Sequence, residues 1–184
     1  MKDLQLRGSG SILGDIQSGF IANVGLNIFN RYVIDSIEGK SEDKSSILET
    51  EIKLDCYWGS SIPKSYIDAD SERIDIYKRL EHSEPNKVDE IKNEIIDRFG
   101  NVPEITNNLF STAKIRSRLQ TKAILRCKIR EFQIELFPID LTEDLKLKIE
   151  KYDKKFIFRN KRLVLNFQHS LTPRSTYELL DSIL

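Results

Sequence analysis

The sequence contains few cysteines and histidines. Two cysteines, Cys56 and Cys127, and two histidines, His82 and His169, are spread over 184 residues. A structural zinc site needs four such ligands at short, regular spacings, so this scarcity argues against one. Two cysteines without a C-x-x-C pair are typical of a reducing compartment. We therefore interpret both cysteines as packing residues and expect no metal site.

An excess of charge of one sign is also missing. Lys plus Arg and Asp plus Glu number 29 each, and nucleic-acid binding relies on neutralised phosphates, so any DNA contact must be local. No apolar run approaches the roughly 20 residues of a membrane span, and the N-terminus lacks the basic and apolar regions of a signal peptide. We expect a cytoplasmic protein that does not contact a membrane.

The sequence has no nucleotide-binding loop, although its glycines are concentrated. Half of the eight glycines fall within the first twenty residues: Gly8, Gly10, Gly14 and Gly19. The spacing G-x-x-x-x-G-K-[ST] is absent, and no buried strand precedes the glycines as a dinucleotide fingerprint requires. No nucleophile stands at motif spacing from a base either. We expect that this chain alone binds no cofactor and catalyses no reaction.

The pattern of apolar residues divides the chain into two parts. Apolar residues at helical spacing over 21–37 predict an amphipathic helix that ends near Gly39. A charged connector, KSEDKSS, follows at 40–46, so the predicted boundary separates residues 1–45 from 46–184. From Ile47 the alternation predicts a half-buried strand with Leu54, Cys56 and Trp58 on its inner face.

The remaining elements predict an α+β fold. Helices are expected over about 71–81, 86–99, 103–119 and 142–152, and strands over 123–129 and 132–137. A hairpin is expected over 155–167 about Asn160 and Lys161, followed by a helix with Thr172 as its cap and Pro173 as its first residue. Because strands and helices segregate without regular β-α-β alternation, we expect a small mixed or antiparallel sheet packed with several helices.

The second expected helix has a charged outer face. Asn86 is its predicted cap and Gly100 its stop signal. Its core stripe consists of Val88, Ile91, Ile95 and Phe99. Glu90, Glu94 and Asp97 then share the opposite side, with Arg98 at the border. Spacing alone predicts a solvated acidic face.

The glycine-rich opening DLQLRGSGSILGDIQSG resembles a segment that follows the last helicase motif in transcription-repair coupling factors and in RecG-type helicases. The resemblance implies that Arg7 and Gln17 are the arginine and glutamine of a translocation motif, and that Gly8, Gly10 and Gly14 shape its loop. Residues 1–45 would then be the tail of the second translocase lobe.

Two further segments resemble the C-terminal domain of coupling factors alone: IPKSYIDADSERIDIYKRL at 62–80 and EIIDRFGNVPE at 94–104. The resemblance covers residues 1–119 and implies a C-terminal fragment of an ATP-dependent DNA translocase that displaces stalled RNA polymerase and recruits nucleotide excision repair. ATP and Mg²⁺ would be bound by the parent, as would duplex DNA.

The same resemblance gives the acidic helix a role. In coupling factors this domain docks on a UvrB-like N-terminal module of the same chain and masks the surface that binds UvrA. That contact carries over to Glu94, Asp97 and Arg98, which we therefore interpret as a protein-interaction site.

A different class of function is left open by the basic residues of the second half. In this alternative the chain is a free-standing or RecG-type nucleic-acid-binding module. Its basic stripe would consist of Arg116, Arg118, Lys122, Arg126 and Lys128.

Overall fold

The computed structural model describes residues 52–153 and 155–184. Its elements, in chain order, are β1 (Lys53–Cys56), α1 (Asp70–Glu81), α2 (Pro85–Phe99), α3 (Glu104–Thr121), β2 (Arg126–Arg130), β3 (Gln133–Phe137), α4 (Glu143–Ile149), β4 (Ile157–Arg159), β5 (Arg162–Asn166) and α5 (Pro173–Ile183). The helix and the glycine-rich loop expected near the N-terminus lie outside the described residues. The expected α+β class is confirmed.

The strands form one mixed sheet in the order β1-β2-β3-β5-β4. β1 runs parallel to β2, whereas the other neighbours are antiparallel. One face of the sheet is apolar because alternate residues point to it, and α3, α4 and α5 cover that face. Its buried strand residues are Cys127, Ile129, Ile134, Leu136, Leu163 and Leu165.

A second hydrophobic core lies between α1, α2 and the first half of α3. It contains Ile76, Tyr77, Leu80, Val88, Ile91, Ile95, Leu109, Phe110 and Ala113. The second half of α3 instead contributes Ile115 and Leu119 to the core under the sheet. Helix α3 is therefore shared by both cores.

Several local signals in the sequence are confirmed. α2 ends at Gly100, whose φ of 80° is readily adopted only by glycine. Asn160 and Lys161 have φ angles of 51° and 60°, as a two-residue turn with both central residues left-handed requires. Thr172 caps α5 and Pro173 is its first residue.

The packing interpretations of Trp58 and the cysteines are also confirmed. Trp58 packs against the sheet core, and its indole Nε1 donates to Thr112 Oγ1 over 3.0 Å. Cys127 is fully buried and Cys56 half-buried, both as free thiols on neighbouring strands. Burial raises the pKa of Cys56 to about 12, so its thiol is unreactive at neutral pH.

Three expectations about α1, α2 and β1 are wrong in detail. α2 begins at Pro85 with Glu84 as its N-cap, because proline fits the first turn and displaces the expected start at Asn86. Helical spacing places Ile74 on the inner face of α1 with Tyr77 and Leu80, whereas α1 buries Ile76 and Arg73 and leaves Ile74 partly exposed. β1 ends at Cys56 because only Lys53–Cys56 pairs with β2.

Candidate protein-interaction surface

A cluster of charged side chains joins the outer faces of α1 and α2. Arg79 Nη1 donates to Glu94 Oε1 over 3.0 Å, and Nη2 bonds to Glu94 Oε2 in parallel. Arg98 Nη2 donates to Glu72 Oε1 over 2.6 Å, and its Nη1 reaches Glu94 Oε1 at 3.4 Å. Asp75 completes the cluster 3.6 Å from Arg79. We call these five residues the α1–α2 charge cluster.

The electrostatics of the cluster keep Glu94 ionised. Hydrogen bonds from Arg79, helped by those from Arg98, lower the pKa of Glu94, and the same pair raises the pKa of Arg79. A carboxylate held by two guanidinium groups is fixed in position, since both arginines come from packed helices. Glu94 therefore presents a negative charge of defined orientation at the surface.

Asp97 lies one turn beyond Glu94 on α2 and differs from it in one respect. Its side chain is exposed and makes no hydrogen bond or ion pair with any residue of 52–153 or 155–184. With Asp97 included, the surface carries four carboxylates against the two guanidinium groups of Arg79 and Arg98. The surface therefore has a net negative charge. Of its four carboxylates, that of Asp97 is the one without an ion-pair partner among the described residues.

Buried polar contacts under this surface fix the position of α1. The guanidinium of Arg73 is buried, donates to the carbonyls of Ile67 and Asp68 over 2.5 and 2.9 Å, and pairs with Asp70. The hydroxyl of Tyr77 accepts a bond from the backbone N–H of Ile62 at 2.8 Å. These contacts hold the loop before α1 against the helix.

The same framework connects the two segments at 62–80 and 94–104. Tyr66, from the first, donates its hydroxyl proton to the carbonyl of Gly100, in the second, over 2.9 Å. The rings of Tyr66 and Phe99 meet edge to face with centroids 6.3 Å apart. The two segments thus form one surface, which the Arg79–Glu94 and Arg98–Glu72 pairs also bridge.

The structure brings together only some of the residues that the sequence singled out. Glu94, Asp97 and Arg98 share one surface. Glu72 and Arg79 also belong to it, although the sequence interpretation missed them. Their separation of seven residues, which places both on one side of a helix, is the signal that could have identified them. The translocation-motif residues Arg7, Gln17, Gly8, Gly10 and Gly14 lie outside the described residues.

The alternative basic stripe is not one surface, which corrects that interpretation. Arg116 is buried in α3, with 4% of its surface exposed, and Arg118 pairs with Asp181 of α5. Arg126 and Lys128 point away from the helices, on the other face of the sheet. A helix and a strand on opposite sides of a buried core cannot present their charges to one ligand.

The described part of the chain contains neither a metal-binding cluster nor a membrane-spanning helix. Residues 52–153 and 155–184 hold no group of three or more His, Cys, Asp or Glu side chains placed to bind a metal. None of the helices in these ranges combines the length and apolar character that crossing a membrane requires.

Comparison with known proteins identifies relatives of this chain. Residues 58–148 match the family model of the TRCF domain. The chain is 34% identical over 117 residues to the transcription-repair-coupling factor of Bacillus subtilis, an alignment that covers 63% of this chain and 10% of the relative. It is 37% identical over 120 residues to the factor of Buchnera aphidicola, covering 62% of this chain and 15% of the relative. The chain thus spans a small part of the length of these relatives.

The fold agrees with this similarity. A crystal structure of the C-terminal domain of a transcription-repair coupling factor superposes with a TM-score of 0.59 at 19% identity, covering 73% of this chain and 92% of that one. The residues matched by the family model, 58–148, include both segments that form the charged surface. Residues 58–148 are thus similar in sequence to the TRCF domain, and the fold of the described residues resembles that of the solved C-terminal domain.

Proposed function

We propose that this chain is the regulatory, protein-interaction part of a longer ATP-dependent DNA translocase. Such a protein would displace stalled RNA polymerase and recruit nucleotide excision repair proteins. The similarity of residues 58–148 to the TRCF domain supports this proposal. The observation that carries it is the α1–α2 charge cluster together with the unpaired carboxylate of Asp97.

The surface suits a basic protein partner. Glu94 is already oriented by Arg79 and Arg98, so little side-chain entropy is lost when a partner cation approaches it. Asp97 has no ion pair within residues 52–153 and 155–184 that docking would have to break. Charge pairs across an interface can couple by about 1.5 kcal/mol or more. We propose that Glu94, Asp97 and Arg98 dock on a basic patch of the UvrB-like N-terminal module of the same parent, and thereby mask its UvrA-binding surface.

The N-terminal part has a different proposed role. Residues 1–45 would be the tail of the second translocase lobe, and 46–184 the regulatory domain. Arg7 and Gln17 would relay the nucleotide state, with Gly8, Gly10 and Gly14 shaping their loop. ATP, Mg²⁺ and duplex DNA would bind to the parent motor rather than to the regulatory domain.

Asp97→Lys is the sharpest test of the surface, because it reverses a charge without breaking any ion pair in the described part of the chain. Calorimetric titration of the 184-residue chain with the separately expressed UvrB-like module should show an affinity at least tenfold weaker for the variant. Glu131→Lys is the matched control, since Glu131 is exposed in the turn between β2 and β3. Equal affinity of Asp97→Lys and wild type would contradict the proposed interface.

The same substitution tests masking in the parent protein. If the contact covers the UvrA-binding surface, Asp97→Lys in the full-length parent should raise its affinity for UvrA, whereas Glu131→Lys should not. If docking is weakened in the titration but the UvrA affinity is unchanged, the result would support the proposed interface and contradict the masking role.

A further inference from the structure

The sheet has a second face, which none of the helices α1 to α5 of the described residues covers. Residues on this face alternate with the core residues of each strand. They are Lys53, Asp55, Arg126, Lys128, Arg130, Gln133, Glu135, Phe137, Ile157, Arg159, Arg162, Val164 and Asn166. Phe137 and Val164 belong to neither hydrophobic core, in agreement with this orientation. We call this surface the open face.

The open face carries a strong local excess of positive charge. Six of its side chains are cationic and two are carboxylates, in a chain whose formal net charge is zero. Both carboxylates are already used: Asp55 pairs with Arg130 at 2.6 Å, and Glu135 lies 3.5 Å from Arg162. The four remaining cations make no ion pair within the described residues; they are Lys53, Arg126, Lys128 and Arg159. The excess charge is therefore available to a ligand.

Strand register arranges most of these cations in a row. Lys53 pairs with Arg126 and Arg126 with Phe137, while Arg159 pairs with Arg162 at the other edge. Because Leu136 pairs with Leu163, Phe137 and Arg162 are neighbours one position further along. Strands lie about 4.8 Å apart, so the five positions span roughly 19 Å. The row has two cations on each side of the phenyl ring of Phe137, which is partly exposed.

This arrangement points to one class of ligand. Guanidinium groups bind phosphates well, and an aromatic ring among cations on a flat sheet provides a surface on which an unpaired base can stack. Duplex recognition usually requires an element that protrudes into a groove, which a flat sheet does not supply. We propose that the open face binds single-stranded nucleic acid, with the cation row on the phosphates and Phe137 stacked on a base.

Fluorescence anisotropy with a labelled 15-nucleotide oligothymidylate and the full 184-residue chain tests this proposal. If about four phosphates are neutralised, the logarithm of the binding constant should fall with that of the salt concentration with a slope of about −2.8. Arg126→Gln with Arg159→Gln should weaken binding at least tenfold and reduce the magnitude of the slope by about 1.4. Lys78→Gln with Lys151→Gln, which removes two exposed lysines outside the sheet, is the matched control and should leave both quantities unchanged.

Phe137→Leu separates stacking from charge. It should weaken binding about fivefold or more while leaving the salt slope unchanged, since no cation is removed. Far-UV circular dichroism and urea unfolding show whether each variant is folded. If the double variant is unfolded, the single variants Arg126→Gln and Arg159→Gln replace it in the binding measurement.

Three results would overturn the proposal. They are no binding at 50 mM salt, equal weakening by the control pair, and duplex binding as tight as single-strand binding with no effect of Phe137→Leu. Because no UvrB-like module takes part, this test is independent of the docking surface proposed above.

Discussion

The guanidinium of Arg79 and the carboxylate of Glu94 link α1 to α2 through two parallel hydrogen bonds. The carboxylate that we assign to a partner interface thus also joins two helices of the same chain. From spacing alone, replacing Glu94, Asp97 and Arg98 with alanine should leave stability nearly unchanged. Because Glu94 and Arg98 bridge the helices, we instead expect this triple change to destabilise the fold. Of the three residues, only Asp97 can be replaced to test docking without loss of stability.

Removing the charge of Glu94 should reduce stability in a pH-dependent manner. Glu94→Gln should lower the free energy of unfolding by about 0.2 to 1 kcal/mol at pH 7, the usual range for an exposed ion pair that solvent screens. The pKa of Glu94 is lowered in the folded state. Its contribution is therefore fully present above the ordinary carboxyl pKa of about 4.3 and is lost as the pH falls through the lower, folded value. Urea unfolding at pH 7 and in increasingly acidic buffers measures this difference.

Glu90→Gln is the control for that experiment. Among the described residues, Glu90 pairs only with Lys87, three residues away on the same helix. Its removal should change the free energy of unfolding by less than that of Glu94. A penalty for Glu94→Gln that stays constant down to pH 2 would contradict the assigned pairing.

Asp153 should be more important to stability than its position in a loop suggests. It is buried, and its carboxylate accepts the backbone N–H groups of Lys155 and Asn166 at 2.8 and 2.9 Å. Asp153→Ala leaves both donors without their partner and should cost about 2 kcal/mol. Asp153→Asn keeps one acceptor oxygen and should cost less. Chemical denaturation ranks these two variants against Glu131→Ala, an exposed control. If all three variants are equally stable, water replaces the carboxylate of Asp153.

The turn between β4 and β5 offers a stabilising substitution. Lys161 has a φ of 60°, a conformation that costs a residue with a Cβ atom about 1 kcal/mol or more. Lys161→Gly should raise the free energy of unfolding by roughly 0.5 kcal/mol after the greater chain entropy of glycine is subtracted. Lys161→Val should lower it by more than 1 kcal/mol, because branched residues fit this conformation poorly. Thermal and urea unfolding measure both variants, and a stability gain for Lys161→Gly with a loss for Lys161→Val would confirm the turn conformation.

The translocation motif can be tested in the full-length parent. If Arg7 and Gln17 relay the nucleotide state to the DNA grip, alanine at either position should abolish displacement of stalled RNA polymerase. ATP binding should remain nearly normal, because neither residue is expected to hold phosphate. Filter binding of ATP and a displacement assay on a stalled complex measure the two quantities. Normal displacement by both variants would leave the glycine-rich loop a purely structural element.

The local features of this fold were accessible from sequence because local physics determines them. Gly100, Thr172 with Pro173, and the Asn160–Lys161 turn depend on backbone conformation and on neighbours in the chain. The alternation from Leu54 to Trp58 likewise needs only the period of a strand.

The features that sequence reasoning missed depend on tertiary contacts. Arg73 is buried because two distant carbonyls and Asp70 satisfy its guanidinium, which no spacing rule reveals. From sequence, Arg116 is expected to be a surface cation, but it is buried because α3 packs under the sheet. The parallel pairing of β1 with β2 spans three intervening helices, so the basic row on the open face could not be assembled from local patterns.

The position of α3 in both hydrophobic cores has a consequence for cooperativity. An 18-residue helix is about 27 Å long, and its first half packs with α1 and α2 while its second half packs under the sheet. Removing α1 and α2 would expose Leu109, Phe110 and Ala113, and melting the sheet would expose Ile115 and Leu119. Neither half can therefore be excised as an autonomous folding unit, and residues 52–184 should unfold in a single two-state transition in which spectroscopic probes of the helices and of the sheet coincide.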